Sequence, residues 1–456
     1  MKRFFWLGLA LFLCLVWCGC GDTFRPIIIP NPPVFPNPKA ANTVVSINDN
    51  GTVVPGSAMV VDVSGDTDVS TFNVGLAPVH AVQQNAGTVL VANHSVSCVP
   101  PLPCSNSLTK LNFSGTTIAS SNTVSLPANS APNFVAVAPS ATIAYVALPG
   151  YAPPSVGVVN TLSNSLVNTI PVGNNPDAIA VTPDNTKVYV ANQGDGTVDG
   201  FTVSSTINLT PRTINNASFN APLWLIARSD NQRVYVLNGN GVVSTIDTTT
   251  TAGPDNVIDA SINVPGAAYM LYDGNLNRLY IPWGSQLTML DVSQSIPVVI
   301  TGAPIPIPTV VPGSRLASDP CSLTSAQPLA VAAVTALPDG SRAYVGSYYE
   351  DASDNICPQV TVINVMSNSV QTSIAVPGFP AYDAFCGATR FRITMAAGGD
   401  SSRAYLASCD GGMVNIIDTT SDTYYLNLQA PISARPPIPP NLQNPPQNPI
   451  FLFAGP

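Results

Sequence analysis

Histidine is the residue type that most often carries acid–base or metal chemistry near neutral pH, and this chain of 456 residues holds only two, His80 and His94. Neither lies in an H-x-x-x-H or C-x-x-C pattern, so the spacing does not predict a zinc site. No nucleophile-elbow, Walker or dinucleotide motif stands in a fitting context. We interpret His80 as a strand residue with a satisfied hydrogen bond and His94 as a loop residue. We predict neither a resident metal nor a cofactor.

Charged side chains make up only 9% of the chain, but two groups of them have the spacing to bind ions. Arg390 and Arg392 could present positive charge to an anionic ligand, or belong to a plain loop. Glu350, Asp351 and Asp354 form the densest acidic group, which could hold calcium weakly or be a solvated loop. We keep both arginines as candidate ligand-binding residues and predict no metal site at the acids.

Aromatic residues cluster in the same part of the sequence as these charges. They are Tyr348, Tyr349, Phe379, Tyr382 and Phe385. Exposed aromatic rings on a loop face are typical of protein-binding surfaces and sugar platforms, whereas buried rings pack neighbouring sheets together. We therefore predict the three tyrosines as candidate ligand-binding residues, with core packing as the alternative.

A repeat must position these residues, and its clearest copy is the strand ending VYVAN, centred on Tyr189. Related endings are centred on Leu90, Tyr145, Tyr235, Tyr280, Tyr344 and Tyr405. A period of about 45 residues built from short apolar strands is typical of a β-propeller with one four-stranded blade per repeat. The seven copies predict an all-β propeller of seven blades, which we number in the order of these landmarks. Eight blades are the alternative.

The way the ring closes stays open at this stage. Val60–Val63 and Val69–Val74 have the pattern of the third and fourth strands of a blade that lacks its first half. Blade 7 has its own third strand, Met413–Asp418, and a candidate fourth strand, Tyr424–Leu428. Seven blades with an extra N-terminal hairpin are the first interpretation. An eight-bladed ring that shares strands between the two termini is the alternative, and closure in either form removes exposed sheet edges.

The segments Asn175–Asn192 (NPDAIAVTPDNTKVYVAN) and Ser155–Gly173 resemble the YVTN family of β-propeller repeats, and the resemblance extends over roughly residues 57–428. The resemblance implies a propeller fold and a bacterial or archaeal exported or surface location. The family is also structurally similar to propellers of the lactonase type. The resemblance transfers no reaction to this chain.

The N-terminus has the pattern of an export signal. Lys2 and Arg3 precede the apolar run Phe4–Trp17, which is too short to span a membrane comfortably. Gly19-Cys20 then resembles a bacterial lipobox, although Trp17 departs from its usual residue; an ordinary secretory signal is the alternative. We predict residues 1–19 as a signal peptide and Cys20 as the lipidated first residue of a membrane-anchored envelope lipoprotein.

The remaining domain boundaries follow from proline content and from the repeat. Residues 20–41 are predicted as a Pro-rich spacer and residues 42–430 as the propeller. Residues 431–456 form a second Pro-rich stretch, whose apolar end Ile450–Ala454 is expected to dock on the ring. The insertion at 300–327 is expected to be a contact loop whose deletion leaves the fold intact.

Six cysteines remain after the signal and the lipobox. They are Cys98, Cys104, Cys321, Cys357, Cys386 and Cys409. An even number in an exported chain predicts disulfides, and six cysteines allow 15 pairings. Their places in the repeat favour Cys98–Cys104, Cys321–Cys357 and Cys386–Cys409. All six fall on the face that carries the loops between strands d and a and between strands b and c, here called the loop face.

The mouth of the propeller channel is formed by the first residues of each strand a. Twelve residues before each tyrosine landmark lie Asn133, Asp177, Leu223, Ala268, Ala332 and Ile393, with Val79 or His80 from blade 1. This ring is mostly apolar, whereas an active site needs several convergent titratable groups. The net charge of −9, with no basic stripe, excludes phosphate-driven nucleic-acid binding.

The function predicted from these patterns is non-enzymatic binding or scaffolding at the cell envelope, through contacts of the loop face with a protein or a glycan. The alternative is a lactonase-like hydrolase that uses His80, Asp177 and Arg392 at the channel mouth. A structural coat component is a third interpretation.

Overall fold

The computed structural model describes residues 43–51, 54–85, 87–94, 106–138, 141–203, 210–214, 216–250, 255–315, 319–321, 323–380, 386, 391–432 and 446–455. All of them belong to the second of two units, Pro32–Pro456, and the first unit, Met1–Asn31, lies outside the description. Cys20, Cys98, Cys104, Tyr382 and Arg390, for which roles are predicted above, also lie outside it. None of the described residues belongs to a helix with the length and apolarity that a membrane crossing requires.

Short strands bounded by turns form eight sheets, and each sheet is one blade. The chain begins with β1 (Thr43–Asp49), β2 (Pro55–Asp62) and β3 (Thr67–Leu76). Blade 1 contains β4 (Pro78–Asn85), β5 (Thr88–Asn93), β6 (Ser107–Ser114) and β7 (Thr117–Ser125). Blade 2 contains β8 (Phe134–Val137), β9 (Ile143–Leu148), β10 (Ser155–Asn160) and β11 (Ser165–Pro171). Blade 3 contains β12 (Pro176–Val181), β13 (Lys187–Asn192), β14 (Thr197–Thr202) and β15 (Arg212–Ile214).

The second half of the chain continues the same antiparallel order. Blade 4 contains β16 (Pro222–Ala227), β17 (Arg233–Asn238), β18 (Val242–Asp247) and β19 (Asn256–Asn263). Blade 5 contains β20 (Leu271–Asp273), β21 (Arg278–Trp283), β22 (Gln286–Asp291), β23 (Val298–Val299) and β24 (Ile305–Pro306). Blade 6 contains β25 (Ala330–Ala336), β26 (Arg342–Glu350), β27 (Asn355–Asn364), β28 (Ser369–Ala375) and β29 (Phe379–Pro380). Blade 7 contains β30 (Ile393–Ala397), β31 (Arg403–Ser408), β32 (Met413–Asp418) and β33 (Thr423–Gln429), and the last strand is β34 (Asn448–Ala454).

The ring closes with an eighth blade, so the seven-blade prediction is wrong and the eight-blade alternative is correct. The closing blade has the order β3-β2-β1-β34, and it therefore joins the first strands of the ring to the last. Strand β34 pairs antiparallel with β1, with Phe451 opposite Ile47 and Phe453 opposite Val45. It lies next to β30 of blade 7 and β4 of blade 1, which completes the circle of innermost strands. The ring thus extends to Ala454, beyond the predicted boundary at residue 430.

The tyrosine landmarks of the repeat lie in the packing between blades. Tyr145, Tyr189, Tyr235, Tyr280, Tyr344 and Tyr405 are the largest fully buried side chains among the described residues. In three blades the tyrosine hydroxyl donates to an aspartate directly before strand d of the next blade. These contacts are Tyr189–Asp255 at 2.7 Å, Tyr344–Asp422 at 2.6 Å and Tyr405–Asp66 at 3.4 Å. The basic residue two positions before each tyrosine pairs with the same aspartate, so each contact locks two sheets together.

Strand a is irregular where it enters the ring. The pairing between strands a and b shifts register at Pro78/His80, Pro176/Ala178, Pro222/Trp224 and Val331/Ala333. A register shift of this kind is a β-bulge, which leaves one residue unpaired and changes the direction of the side chains beyond it. The bulge therefore decides which residues of strand a reach the channel.

The 300–327 insertion belongs to the core, contrary to expectation. Its strand β24 pairs with β22, and Val310 forms a bridge with Gln327. Ile305, Ile307 and Val310 are at most 4% exposed and pack in one cluster with the residues of blades 5 and 6. Deleting the insertion removes part of this cluster, so it is not a separable contact loop.

Candidate binding face and central channel

Two of the predicted disulfides are formed on the loop face. Cys321 is bonded to Cys357, and Cys386 is bonded to Cys409 with an S–S distance of 2.03 Å. The first bond ties the chain before blade 6 to strand β27, and the second ties the chain before β30 to the end of β31. The second bond borders the channel mouth, where Cys386 lines the mouth cavity, whereas the first packs in the cluster of blades 5 and 6.

Arg392, directly before β30, is the centre of a charged cluster at this mouth. Its Nε and Nη2 atoms donate to Asp410 at 2.6 and 2.9 Å, and its Nη1 lies 3.9 Å from Oε2 of Glu350. The guanidinium carbon lies 5.6 Å from the centroid of the Tyr348 ring. Burial opposes the charged guanidinium, but the hydrogen bonds and charge of Asp410 outweigh it and raise the pKa of Arg392.

The charges of this cluster do not favour an anionic ligand. Arg392 faces two carboxylates, and the Asp410 side chain has no exposed surface. The positive charge is therefore already neutralised in the protein, and a second anion would meet Glu350, whose side chain is half exposed. Among the described residues, the charges at the mouth favour neutral or positively charged groups.

Tyr348 and Tyr349 are neighbours in β26 but point to opposite sides, as alternate residues of a strand do. Tyr348 is half-buried beside Arg392 at the channel mouth. Tyr349 is only 6% exposed, and the Arg315 guanidinium lies 5.9 Å from its ring centroid. Of these two predicted binding tyrosines, Tyr348 alone lies where a partner can touch its ring, and Tyr349 packs in the core beneath the insertion.

The three residues of the hydrolase alternative lie against different groups. His80 stacks on Phe134 with the ring centroids 3.9 Å apart, and its Nδ1 accepts a hydrogen bond from the Val135 amide at 3.4 Å. Asp177 accepts a hydrogen bond from the Asn133 side chain at 3.3 Å, which joins blades 2 and 3. Arg392 pairs with Asp410. The structure thus gives each of the three candidates a partner of its own.

One group of residues has metal-like spacing within the described ranges, and its chemistry does not fit a metal. The Sγ atoms of Cys321 and Cys357 and a carboxylate oxygen of Asp351 lie within 4.8 Å of one another. The two sulfurs are bonded to each other, so neither is a thiolate that could bind a metal. Asp351 accepts hydrogen bonds from the amides of Ser353 and Asn355, which shapes a turn.

Beneath the mouth, aromatic rings from six blades meet in the channel. His80 and Phe134 enter from blades 1 and 2, and Trp224 from blade 4. Phe391 packs edge-to-face against Trp224 at 5.9 Å, and lies 6.2 Å from Phe451 of the closing blade. The Phe451 ring lies 4.9 Å from His80, so the contacts run around the channel and return to their start. We call this set, together with Tyr269 and Phe453, the aromatic ring set.

A cavity of about 370 Å³ lies beside the ring set, on the side formed by Trp224, Tyr269, Phe391, Phe451 and Phe453. Its walls come from strand a of blades 4 to 7 and from β34, and include Trp224, Tyr269, Phe391, Met395, Phe451 and Phe453. None of the described residues that line it is charged. A second cavity of about 190 Å³ lies at the mouth, where Tyr348 and Arg392 contribute to its walls, and Tyr269 lines both cavities.

The ring set was not predicted from the sequence, and the bulges in strand a explain why. The residues twelve positions before the tyrosine landmarks were predicted to line the channel mouth. Three of them, Asp177, Leu223 and Ala332, are the unpaired residues of bulges. In blade 4 the next residue, Trp224, is the one that lines the channel. The available signal was a proline two positions before an aromatic residue, as in Pro132-Asn133-Phe134 and Pro222-Leu223-Trp224.

Solved structures with a similar fold come from proteins of different kinds. Apo AztD from Citrobacter koseri aligns with a TM-score of 0.56 at 12% identity over 91% of this chain and 98% of that chain. The dihydro-heme d1 dehydrogenase NirN in complex with DHE aligns with a TM-score of 0.56 at 13% identity over 88% and 75%. A functionally unknown protein from Desulfotomaculum acetoxidans aligns with a TM-score of 0.51 at 12% identity over 73% and 95%.

These likenesses establish a β-propeller fold alone. No protein-family model matches the chain, and no curated protein matches its sequence. At identities of 12–13% the activities of the aligned proteins do not transfer to this propeller.

Proposed function

We propose that this chain is an exported, non-enzymatic propeller that binds a protein or a glycan at the cell envelope through the loop face of blades 6 and 7. The observation that carries the proposal is the fixed position of Tyr348 at the channel mouth. Its ring lies against Arg392, which is held in turn by the buried Asp410, and the Cys386–Cys409 bond lies beside that carboxylate.

A ring held in this way is suited to binding. Tyrosine offers a large contact area with few rotatable bonds, and aromatic residues are enriched at the energetic centres of interfaces. Because the supporting ion pair and disulfide are present before any partner arrives, little conformational entropy is lost on association. Glu350 beside Tyr348 adds an exposed acceptor for hydroxyl or amino groups.

The location in the proposal is supported by two observations. The first is the presence of both described disulfides, because disulfides persist in oxidising compartments, whereas a reducing cytosol keeps cysteines as free thiols. The N-terminal pattern ending at Cys20 resembles a lipoprotein signal, and the repeat resembles the YVTN family. Labelling cells with an alkyne fatty acid tests the anchor: the wild-type protein should carry the label, and Cys20→Ala should not.

The binding role is tested with two matched tyrosine variants. Tyr348→Ala removes a ring under Arg392 on the loop face, and Tyr425→Ala removes a ring 5.1 Å from the Arg403 guanidinium at the opposite face. Partners identified by crosslinking in envelopes and on glycan arrays are then measured individually. We expect Tyr348→Ala to weaken binding by roughly tenfold or more and Tyr425→Ala to leave it unchanged. Equal affinities for the two variants would remove the loop face from the proposal.

A further inference from the structure

The aromatic residues around the central cavity are unusual in their exposure. Trp224, Tyr269, Phe391, Phe451 and Phe453 lie at the centre of the ring and yet are only half-buried, whereas the tyrosines between the blades are fully buried. Their free surface faces the cavity of about 370 Å³ that they line. Uncovered apolar surface on this scale marks a binding site in soluble proteins.

We propose that this cavity binds a neutral aromatic molecule of about two or three rings. The volume lies within the range of about 300–1,000 Å³ that is typical of small-molecule sites. An apolar cavity of roughly 150 Å³ holds a single benzene ring, so the present cavity has room for a few rings but not for a polypeptide segment with side chains.

The walls favour an aromatic occupant over an aliphatic one. Tyr269 and Phe391 meet edge-to-face at 5.2 Å, and Trp224 meets Phe391 at 5.9 Å in the same way. Because of these contacts, the wall presents both the edges and the faces of aromatic rings. An aromatic guest can therefore pack against the wall in the stacked and edge-to-face geometries that aromatic pairs prefer. Met395 and Met270 supply flexible thioether walls that also pack well against rings.

The charges around the cavity favour a neutral guest. None of the described lining residues could neutralise an ionised group, and burying an unpaired charge is costly. The cavity shares Tyr269 with the smaller cavity at the mouth. Arg392 is the charged residue among the described residues that line that smaller cavity, and its charge is already paired with Asp410, with Glu350 nearby. An anionic compound would therefore be disfavoured both at the mouth and inside the channel. This site is separate from the loop-face contact proposed above and does not depend on it.

The test uses the full-length protein and two naphthalene compounds of similar size, 2-naphthol and 2-naphthoate, measured by calorimetric titration at pH 7. We expect 2-naphthol to bind and 2-naphthoate to bind at least tenfold more weakly. Absence of 2-naphthol binding to the wild-type protein at millimolar concentration, or equal affinity for both compounds, overturns the proposal.

Two phenylalanine variants locate the site. Phe391→Ala removes a wall of the cavity, and Phe113→Ala makes the same change at a half-buried residue outside it. We expect 2-naphthol to bind roughly tenfold more weakly to Phe391→Ala and unchanged to Phe113→Ala. Circular dichroism establishes that both variants are folded, and Phe453→Ala replaces Phe391→Ala if that variant does not fold. Unchanged affinity in a folded cavity variant contradicts the proposed site.

Discussion

Arg403 and Asp66 form an ion pair across the seam of the ring, although 337 positions separate them in the sequence. The Nε of Arg403 lies 2.9 Å from Oδ2 of Asp66, and Nη1 of the same arginine lies 3.0 Å from Asp418 in its own blade. The hydroxyl of Tyr405 also donates to Asp66. Blade 7 is thus joined to the closing blade by the same type of contact that joins neighbours inside the ring.

This seam contact predicts the effect of Asp66→Asn. The residue has a positive φ of 50°, which asparagine tolerates, so the substitution removes the charge without straining the turn. Because Asp66 is buried and bonded to both Arg403 and Tyr405, we expect a loss of about 1–3 kcal/mol in unfolding free energy. Thermal unfolding of the wild-type protein and the Asp66→Asn variant measures this loss of free energy. Asp68→Asn, at an exposed position in β3 directly after this turn, is the control and should change stability by less than about 0.5 kcal/mol.

The hydrogen bonds of the landmark tyrosines predict a contrast between two Tyr→Phe substitutions. Tyr189→Phe removes a 2.7 Å hydrogen bond to Asp255, which also pairs with Lys187, and should cost about 1.5–3 kcal/mol. Tyr145 is equally buried, but its hydroxyl bonds no described residue, so Tyr145→Phe should be nearly neutral. Chemical denaturation compares the two variants. Equal losses in the two variants would show that the hydrogen bond to Asp255 is not the source of the effect.

The disulfide at the channel mouth predicts a third result. Replacing both Cys386 and Cys409 by alanine removes a bond that closes a 23-residue separation, and should lower the unfolding free energy by about 2–4 kcal/mol. Asp410 follows Cys409 directly, so the same variant should also loosen the support of Arg392. A double alanine variant at Cys321 and Cys357 is the comparison, since it should lose a similar free energy and leave Arg392 in place.

Buried tyrosines predict a fall of stability in alkali. Burial raises the pKa of Tyr145 and Tyr235 to about 12, with Arg228 partly opposing the rise at Tyr235, whereas an exposed tyrosine ionises near pH 10. The unfolded chain therefore loses these protons first. The stabilisation is complete below pH 10 and is lost as the pH rises from about 10 to about 12.

Denaturant midpoints between pH 8 and pH 12 measure this loss, and absorbance at 295 nm follows tyrosinate formation. We expect part of the tyrosinate signal to appear together with the loss of circular dichroism. Ionisation of all tyrosines near pH 10 in a protein that remains folded would contradict the burial argument.

Local pattern was sufficient to predict the blades that carry a tyrosine landmark. Strand β13 (Lys187–Asn192) contains the predicted strand ending VYVAN, because its apolar alternation and the turn after Val181 are encoded within a few residues. The eighth blade carries no such landmark. Its strand β1 (TVVSIND) has no tyrosine, and its innermost strand comes from the other end of the chain. A pairing between distant segments leaves no periodic signal in the sequence.

The binding residues were harder to predict than the disulfides. The Cys321–Cys357 and Cys386–Cys409 pairings followed from equivalent positions in adjacent repeats. The difference between Tyr348 and Tyr349 depends on which side of β26 faces the insertion, which the repeat does not encode. The position of Trp224 in the channel was not predicted, because one bulged residue, Leu223, changes the alternation of side chains along strand a.

The innermost strand of the closing blade follows all the other strands of the ring in the sequence. Seven sheets can assemble while the ribosome is still at work, but the circle remains incomplete until residues 448–454 have emerged. Phe451 and Phe453 belong to that strand, so the channel gains its final wall only when β34 joins the ring. A chain that lacks β34 would leave β1 without its inner neighbour, and β1 would become an open sheet edge that can pair with other chains.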